Sequence, residues 1–118
     1  MENRCIEYCE DCEDVVKKHY FWFQGDTFQN ALVVKDKEGE QLGTDVVEKV
    51  EFRLLDGDKN VEYLQDYEWS AERNRWEITI PSVETAKWEV EVHYYRYVAT
   101  YTSGATKTLR EALFTVQK

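Results

Sequence analysis

The hydrophobic period of the sequence changes at residue 19, and this change restricts the possible fold more than any other feature. From there to residue 117, apolar residues alternate with polar ones, as in strands that place one face on a core. Turn-forming pairs such as Gly25-Asp26 and Asp56-Gly57 separate the runs. The extended segments cover residues 19–24, 28–35, 50–56, 61–69, 75–80, 88–101 and 108–117.

Short extended segments joined by turns predict an all-β fold, an immunoglobulin-like antiparallel β-sandwich of about seven strands. Aromatic residues make up 14% of the chain, which favours strands over helices. Pro81 should end the segment 75–80, since proline cannot donate to a strand ladder. The disulfide that joins the sheets of antibody domains is not expected, because all the cysteines precede residue 13.

The longest extended run, residues 88–101, indicates which side chains face the core. Trp88, Val90 and Val92 are predicted to point inward and His93 outward. The apolar phase slips past Tyr94, so we expect a bulge or bend there.

The first eighteen residues differ from the rest. They are acidic, and Cys5, Cys9, Cys12 and Val16 recur at the spacing of one helix face. We therefore expect a short N-terminal helical extension over residues 1–18 and the β-sandwich domain over 19–118. The odd cysteine number and its clustering indicate a reducing compartment at synthesis.

The charge balance excludes several classes of function. Lysine and arginine number 15 against 24 acidic residues, a net charge of −9 with histidine neutral. Such a chain is not expected to bind nucleic acid or an anionic membrane surface. The charged start lacks the apolar core of a signal peptide, and no apolar run has the length of a membrane span.

Two patterns resemble metal sites. Cys5, Cys9, Cys12 and His19 could together ligate zinc, although small cysteines filling the apolar face of a helix is the favoured interpretation. The repeat from Asp56 to Asn60 looks like the opening of a calcium loop. Such a loop needs glycine at its sixth position and glutamate at its twelfth, which here are Val61 and Tyr67, so we expect a hairpin turn. The prediction is no metal and no cofactor.

No arrangement of nucleophile and base is recognisable. His93 has no cysteine near it in sequence, and the serines lack the Gly-x-Ser-x-Gly context of a nucleophile elbow. Alternating glutamates on strands usually mark a solvated sheet face. The sequence predicts no catalytic residues and a protein that is not an enzyme.

A tyrosine-rich stretch is the candidate partner interface. Tyr95, Tyr97 and Tyr101 would line one face beside Arg96, and Tyr and Arg are favoured at protein interfaces. The alternative is that these rings pair across strands with other aromatic residues inside the fold.

The segment GDTFQNALVVKDKEGEQL (25–42), followed by the strand VEFRLL (50–55), resembles bacteriophage tail and baseplate proteins. The pattern is a Gly-Asp-Thr-aromatic opening, an apolar strand and an acidic turn. It is most similar to the N-terminal immunoglobulin-like domain of phage baseplate upper proteins. The later WEITIPSVETAKWEVEVHYY (76–95) also fits, as a strand, a helical or turn crossing and a long strand.

The resemblance implies a structural protein of phage or prophage origin that binds other virion proteins or further copies of itself. It also implies a virion component synthesised in the cytoplasm of the bacterial host. A second hypothesis from the residues is a small carbohydrate- or ligand-binding β-sandwich, with Trp69, Trp88 or Tyr95 as a stacking platform.

Overall fold

The computed structural model describes residues 19–36 and 38–118, together with the backbone of residues 5–9. Those residues form strands joined by short loops, with a single helical turn. The elements are β1 Cys5–Cys9, β2 Tyr20–Phe23, β3 Phe28–Lys35, β4 Val47–Leu55, β5 Val61–Asp66, β6 Glu68–Ser70, β7 Arg75–Ile80, α1 Ser82–Thr85, β8 Val92–Tyr101 and β9 Thr106–Gln117.

The strands form two sheets that pack face to face. The four-stranded sheet has the order β1-β3-β7-β6, and the five-stranded sheet has the order β2-β9-β8-β4-β5. Buried aromatic and aliphatic side chains from both sheets fill the space between them. The prediction of an all-β sandwich is confirmed.

Most neighbouring strands are antiparallel, as expected, and two edge pairs are parallel. β1 runs parallel to β3, and β2 runs parallel to β9, with Tyr20 opposite Phe114. The chain thus contributes one early strand to each sheet. Both strands lie at sheet edges, where a parallel partner can be added without rearranging the antiparallel ladders.

The core is built around aromatic rings that meet at angles. Phe114 meets Phe28 at 5.5 Å and Trp88 at 5.6 Å between ring centroids, both edge to face. Phe52 lies 5.5 Å from Phe28. Edge-to-face contacts are favoured by the ring quadrupole, and burying one such side chain contributes about 2–3 kcal/mol. The aromatic content of the sequence is therefore used mainly to fill the sandwich.

The predicted single strand over residues 61–69 is divided between the sheets. β5 pairs with β4, whereas β6 pairs with β7, and Tyr67 stands between them. The backbone N–H of Tyr67 still donates to the carbonyl of Val50 at 2.8 Å, and its side chain is buried. Alternation predicted extended backbone here, but it does not indicate which sheet a strand joins.

The predicted phase of the long strand is wrong at its start. His93, expected outside, is fully buried, while Val90 and Val92, expected inside, are exposed; Trp88 is buried as expected. The strand begins only at Val92, because the preceding residues form a turn after α1. The ladder irregularity with β9 also lies later than expected, between Tyr97 and Val98.

The expected N-terminal helix is corrected over Cys5–Cys9, which is strand β1 in register with Ala31–Lys35 of β3. Edge pairing supplies backbone hydrogen bonds that outweigh a four-residue apolar spacing in so short a segment. The remainder of the predicted extension, including Cys12 and Val16, lies outside the described residues. The predicted boundary between residues 18 and 19 stays a prediction, although β1 belongs to the four-stranded sheet.

Turn chemistry follows the sequence closely. Oδ1 of Asp56 accepts from the backbone N–H groups of Asp58 and Asn60 at 2.9 Å each, closing the β4–β5 connection. These bonds lower the pKa of Asp56, the one from Asn60 having the largest effect. The calcium-like repeat is thus a turn, as expected. Gly25, which follows β2, has a φ of +88°, a conformation that favours glycine.

Candidate interaction surface

The structure corrects the predicted tyrosine interface. Tyr95 and Tyr97 are fully buried and Tyr101 is 8% exposed. The three side chains point between the sheets from β8, and the ring of Tyr97 packs edge to face against Tyr67 at 5.9 Å. The alternative interpretation, in which the rings pair inside the fold, agrees with these contacts.

The buried tyrosines hold the two sheets together through hydrogen bonds. Asn30 of β3 donates from Nδ2 to the hydroxyl of Tyr97 at 2.8 Å and accepts from the hydroxyl of Tyr67 at 2.6 Å. The hydroxyl of Tyr97 in turn lies 3.2 Å from that of Tyr20. A satisfied polar network in a core favours one register of packing. Its role is structural, and no partner can reach it.

Arg96, the fourth predicted interface residue, lies on the outer face of the five-stranded sheet. Its Nε donates to Glu111 Oε1 at 2.9 Å, and the Lys59 ammonium donates to Glu111 Oε2 at 2.7 Å. Lys59 also lies 4.9 Å above the ring of Tyr94. The hydrogen bonds from Lys59 and Arg96 lower the pKa of Glu111. Arg96 is therefore half-buried and paired within the chain.

A second ion pair lies beside the first. Arg53 of β4 stands directly opposite Arg96 in the ladder and binds Glu51 at 3.0 Å. Two like charges in opposite positions repel each other, so each arginine needs its own carboxylate. The centre of this face is balanced internally and does not present an open basic patch.

The exposed apolar side chains of β2 are the clearest candidate contact surface. Tyr20 and Trp22 face the core, where Trp22 packs edge to face on Phe28 at 4.9 Å. The alternate residues Phe21 and Phe23 point outward and are 59% and 53% exposed. We call Phe21 and Phe23 the aromatic edge.

The surface next to the aromatic edge is also uncharged. Phe21 lies opposite Thr115 of β9, which lies opposite Val92 of β8, an exposed residue. His19 stacks on Phe21 at 4.2 Å and its Nε2 is 2.8 Å from Thr115 Oγ1. A neutral apolar row on a chain of charge −9 favours contact with another apolar surface.

Sequence reasoning placed a strand at residues 19–24 but did not single out Phe21 and Phe23. The available signal was the unbroken run YFWF, in which both alternating faces are aromatic. A strand in a two-layer sandwich has one face on the core and must expose the other. Without knowing that only one face of β2 is covered, the run reads as fully buried.

The stacking platform proposed for a carbohydrate ligand is not accessible. Trp88 is 5% exposed and Tyr95 is fully buried. Trp69 is half-buried and packs edge to face against Trp76 at 5.3 Å. Two of the three expected residues are thus core residues and cannot stack on a ligand, whereas Trp69 remains partly exposed.

The zinc alternative involves residues of which the structure describes little. The cysteine side chains lie outside the described residues, and His19 is bonded to Thr115. The backbone from Cys5 to Cys9 is the extended strand β1 and not the predicted helix. Within the described ranges, no three metal-ligating side chains form a cluster.

His93 is a buried histidine, the residue type that most often serves as a general acid or base in enzymes. Its Nδ1 lies 2.7 Å from Glu62 Oε1, and its Nε2 lies 2.8 Å from the carbonyl oxygen of Glu89. A carbonyl only accepts, so Nε2 donates there. With both nitrogens engaged and the ring fully buried, His93 ties β5 to the loop before β8 and has no free position for a substrate.

The fold and the surface together define a small all-β sandwich with an aromatic sheet edge. In the part of the chain that the structure describes, no helix combines the length and apolarity of a membrane span. No protein-family model and no curated protein matches the sequence.

The chain is similar in structure to the N-terminal domain of phage TP901-1 ORF48. The match covers 100% of both chains with a TM-score of 0.58 and 13% sequence identity. At this identity the likeness is one of fold, and it extends over the whole sandwich. The resemblance to a phage protein domain found in the sequence is therefore confirmed at the level of structure.

Proposed function

We propose that this chain is a non-enzymatic structural and protein-interaction module of phage or prophage origin, a component of a tail or baseplate. The observation that carries the proposal is the end-to-end match in fold to a phage protein domain, TP901-1 ORF48. The similarity of residues 25–42 to the baseplate upper protein pattern supports the same origin from the sequence alone.

The proposal includes an immunoglobulin-like form of the sandwich. Strand orders β1-β3-β7-β6 and β9-β8-β4-β5 support it, because they correspond to the ABED and GFCC′ sheets of such domains, and β2 is an additional strand beside β9. The short crossing before the long strand is helix α1, Ser82–Thr85. Domains of this kind present sheet edges and loops to their partners around a rigid core.

A structural role fits the use of the chemically capable side chains. His93 and Glu62 bond to each other beneath a loop, and Arg96 and Glu111 pair on the sheet face. The buried tyrosines and Asn30 join the sheets. These groups stabilise the fold where an enzyme would aim them at a substrate.

The proposed partners are other virion proteins or further copies of this chain, and neither nucleic acid nor membrane. The proposed location is the virion, after synthesis in the host cytoplasm. The proposed domain division places an acidic extension at residues 1–18 before the sandwich at 19–118.

Disruption of the gene in the phage or prophage that carries it tests the proposal. Particles would be inspected by electron microscopy after induction, with the wild-type chain supplied in trans as the control. We expect tails with an incomplete or missing distal structure, restored by the wild-type chain. Normal, fully infectious particles without the chain would overturn the proposal.

A further inference from the structure

The unusual feature of β2 is a sheet-edge strand without a charged residue. Among the described strands it pairs with β9 alone and ends the five-stranded sheet. Natural edge strands usually carry charged residues that oppose pairing with another chain. The other edges do so: β5 contains Glu62 and Asp66, and β6 contains Glu68. The sequence of β2, YFWF, contains no charge.

The side chains of β2 add to this exposed edge. The aromatic edge leaves more than half of each ring in contact with water. Removing such surface from water stabilises an association by roughly 25 cal/mol per Å² of apolar area. An uncharged, aromatic strand that has a neighbour on one side only among the described strands has the features of a surface that is covered by another strand in the assembled state.

We propose that β2 pairs antiparallel with β2 of a second copy of this chain, about a two-fold axis at Trp22. Directly opposite residues of an antiparallel pair lie on the same face. Phe21 must therefore lie opposite an outward residue. Centring the pair on Trp22 places Phe21 opposite Phe23 of the second copy, and Phe23 opposite its Phe21.

The strand is self-complementary in this arrangement. A two-fold interface uses the same surface on both chains, so a charge near the axis would meet its own copy. The chain carries −9 overall, yet β2 and the adjacent Thr115 and Val92 are neutral. The rings form two cross-strand aromatic pairs on the outer face, and the five-stranded sheets join into one continuous sheet.

The interface is small. Four phenylalanine rings and one short strand pair bury less surface area than the roughly 1,200 Å² buried in stable complexes. We therefore expect a dimer that forms and dissociates with concentration. The inference names a partner for the proposed structural module, but it rests on the strand edge and not on a phage origin.

The first experiment is sedimentation velocity in reducing buffer over a wide dilution series. The wild-type mass is expected to rise from that of one chain, 14.1 kDa, towards twice that value. Phe21→Lys should remain a single chain throughout. Val61→Lys is the matched control, because Val61 is 51% exposed on β5, at the opposite edge of the five-stranded sheet; it should behave as wild type.

A wild-type chain that stays monomeric at the highest concentration would overturn the proposal, as would undiminished dimerisation of Phe21→Lys. The wild-type chain could also be monomeric and bind tail proteins, with Phe21→Lys abolishing that binding. This result would assign the aromatic edge to a different partner and would likewise overturn the proposed dimer. That last outcome would leave the proposed phage function intact.

The second experiment tests the register. In a background with Cys5, Cys9 and Cys12 changed to serine, a Phe21→Cys chain and a Phe23→Cys chain are mixed and oxidised. Opposite Cα atoms lie about 4.5–5.5 Å apart, within reach of a disulfide. We expect mixed disulfides to exceed those between identical chains several-fold. A predominance of identical-chain disulfides would overturn the two-fold pairing at Trp22.

Discussion

The hydroxyl of Tyr67 donates a 2.6 Å hydrogen bond to Oδ1 of Asn30 between the two sheets. Tyr67 lies where the chain passes from the five-stranded sheet to the four-stranded sheet. Asn30 lies on β3, an inner strand of the four-stranded sheet. The bond therefore fixes the crossing point to the core. Together with the bond from Asn30 Nδ2 to the Tyr97 hydroxyl, it gives two buried tyrosine hydroxyls a partner inside the core.

Tyr67→Phe is expected to lower the free energy of unfolding by about 1–2 kcal/mol, because Oδ1 of Asn30 loses a buried donor. Urea denaturation followed by tryptophan fluorescence measures the change. Tyr94→Phe is the control, since the Tyr94 hydroxyl is on the outer face, and it should change the value by less than about 0.5 kcal/mol. Equal losses in the two variants would contradict the role of the network.

Glu62→Ala is expected to destabilise the fold by about 1–3 kcal/mol, because Nδ1 of the fully buried His93 loses its partner. Glu89→Ala serves as the matched control. Glu89 contributes only its backbone carbonyl to His93, and its side chain is exposed. Chemical denaturation should separate the two variants; if Glu89→Ala is equally destabilising, the contact with Glu62 does not stabilise this end of the sandwich.

Acid should weaken the contact on the outer face. The hydrogen bonds from Lys59 and Arg96 lower the pKa of Glu111 below its ordinary value of 4.5. A carboxyl whose folded pKa is depressed stabilises the fold above the unfolded value, and this stability is lost as the pH falls through the lower folded value.

Glu111→Gln should therefore cost about 0.5 kcal/mol at neutral pH, a small value because water screens the pair. The difference from wild type should shrink as the pH falls below 4.5 and vanish once it is below the lowered folded pKa of Glu111. Unfolding free energies across the pH range provide the measurement, with exposed Glu72→Gln as control. A difference that persists in acid would show that Glu111 acts by packing and not by charge.

Chemical labelling distinguishes the tyrosines of β8. Nitration followed by peptide mass spectrometry should modify Tyr94, which is half-buried on the outer face, well before the fully buried Tyr95 and Tyr97. The contrast should disappear on unfolding in urea. Early nitration of Tyr95 or Tyr97 in the native protein would contradict their placement in the core and restore the original tyrosine interface.

The sequence predicted strand positions well where one face is polar. In β4, Val50, Phe52 and Leu54 are buried, as the alternation indicates. The prediction failed where alternation does not indicate which sheet a strand joins or which of its faces is buried. The segment that changes sheets at Tyr67 has the same two-residue period before and after the change. The turn before Val92 shifts the phase of alternation, and it contains no proline or glycine that would signal a turn in the sequence.

The site was harder to predict than the fold. Tyrosine is favoured both at interfaces and in hydrogen-bonded cores, so composition alone did not separate the two roles of Tyr95 and Tyr97. Phe21 and Phe23 belong to a run that resembles a buried strand. The packing of two sheets face to face, which covers only the side of β2 with Tyr20 and Trp22, turns Phe21 and Phe23 towards solvent.

The central claim is that this chain is part of a phage particle, and quantitative mass spectrometry of purified particles tests it most directly. Particles induced from the host that encodes the chain would be separated from the lysate by density gradient, with labelled peptides of the chain as standards. We expect it in the particle fraction at a fixed ratio to known tail proteins. A chain that is abundant in the lysate but missing from intact particles would contradict the account.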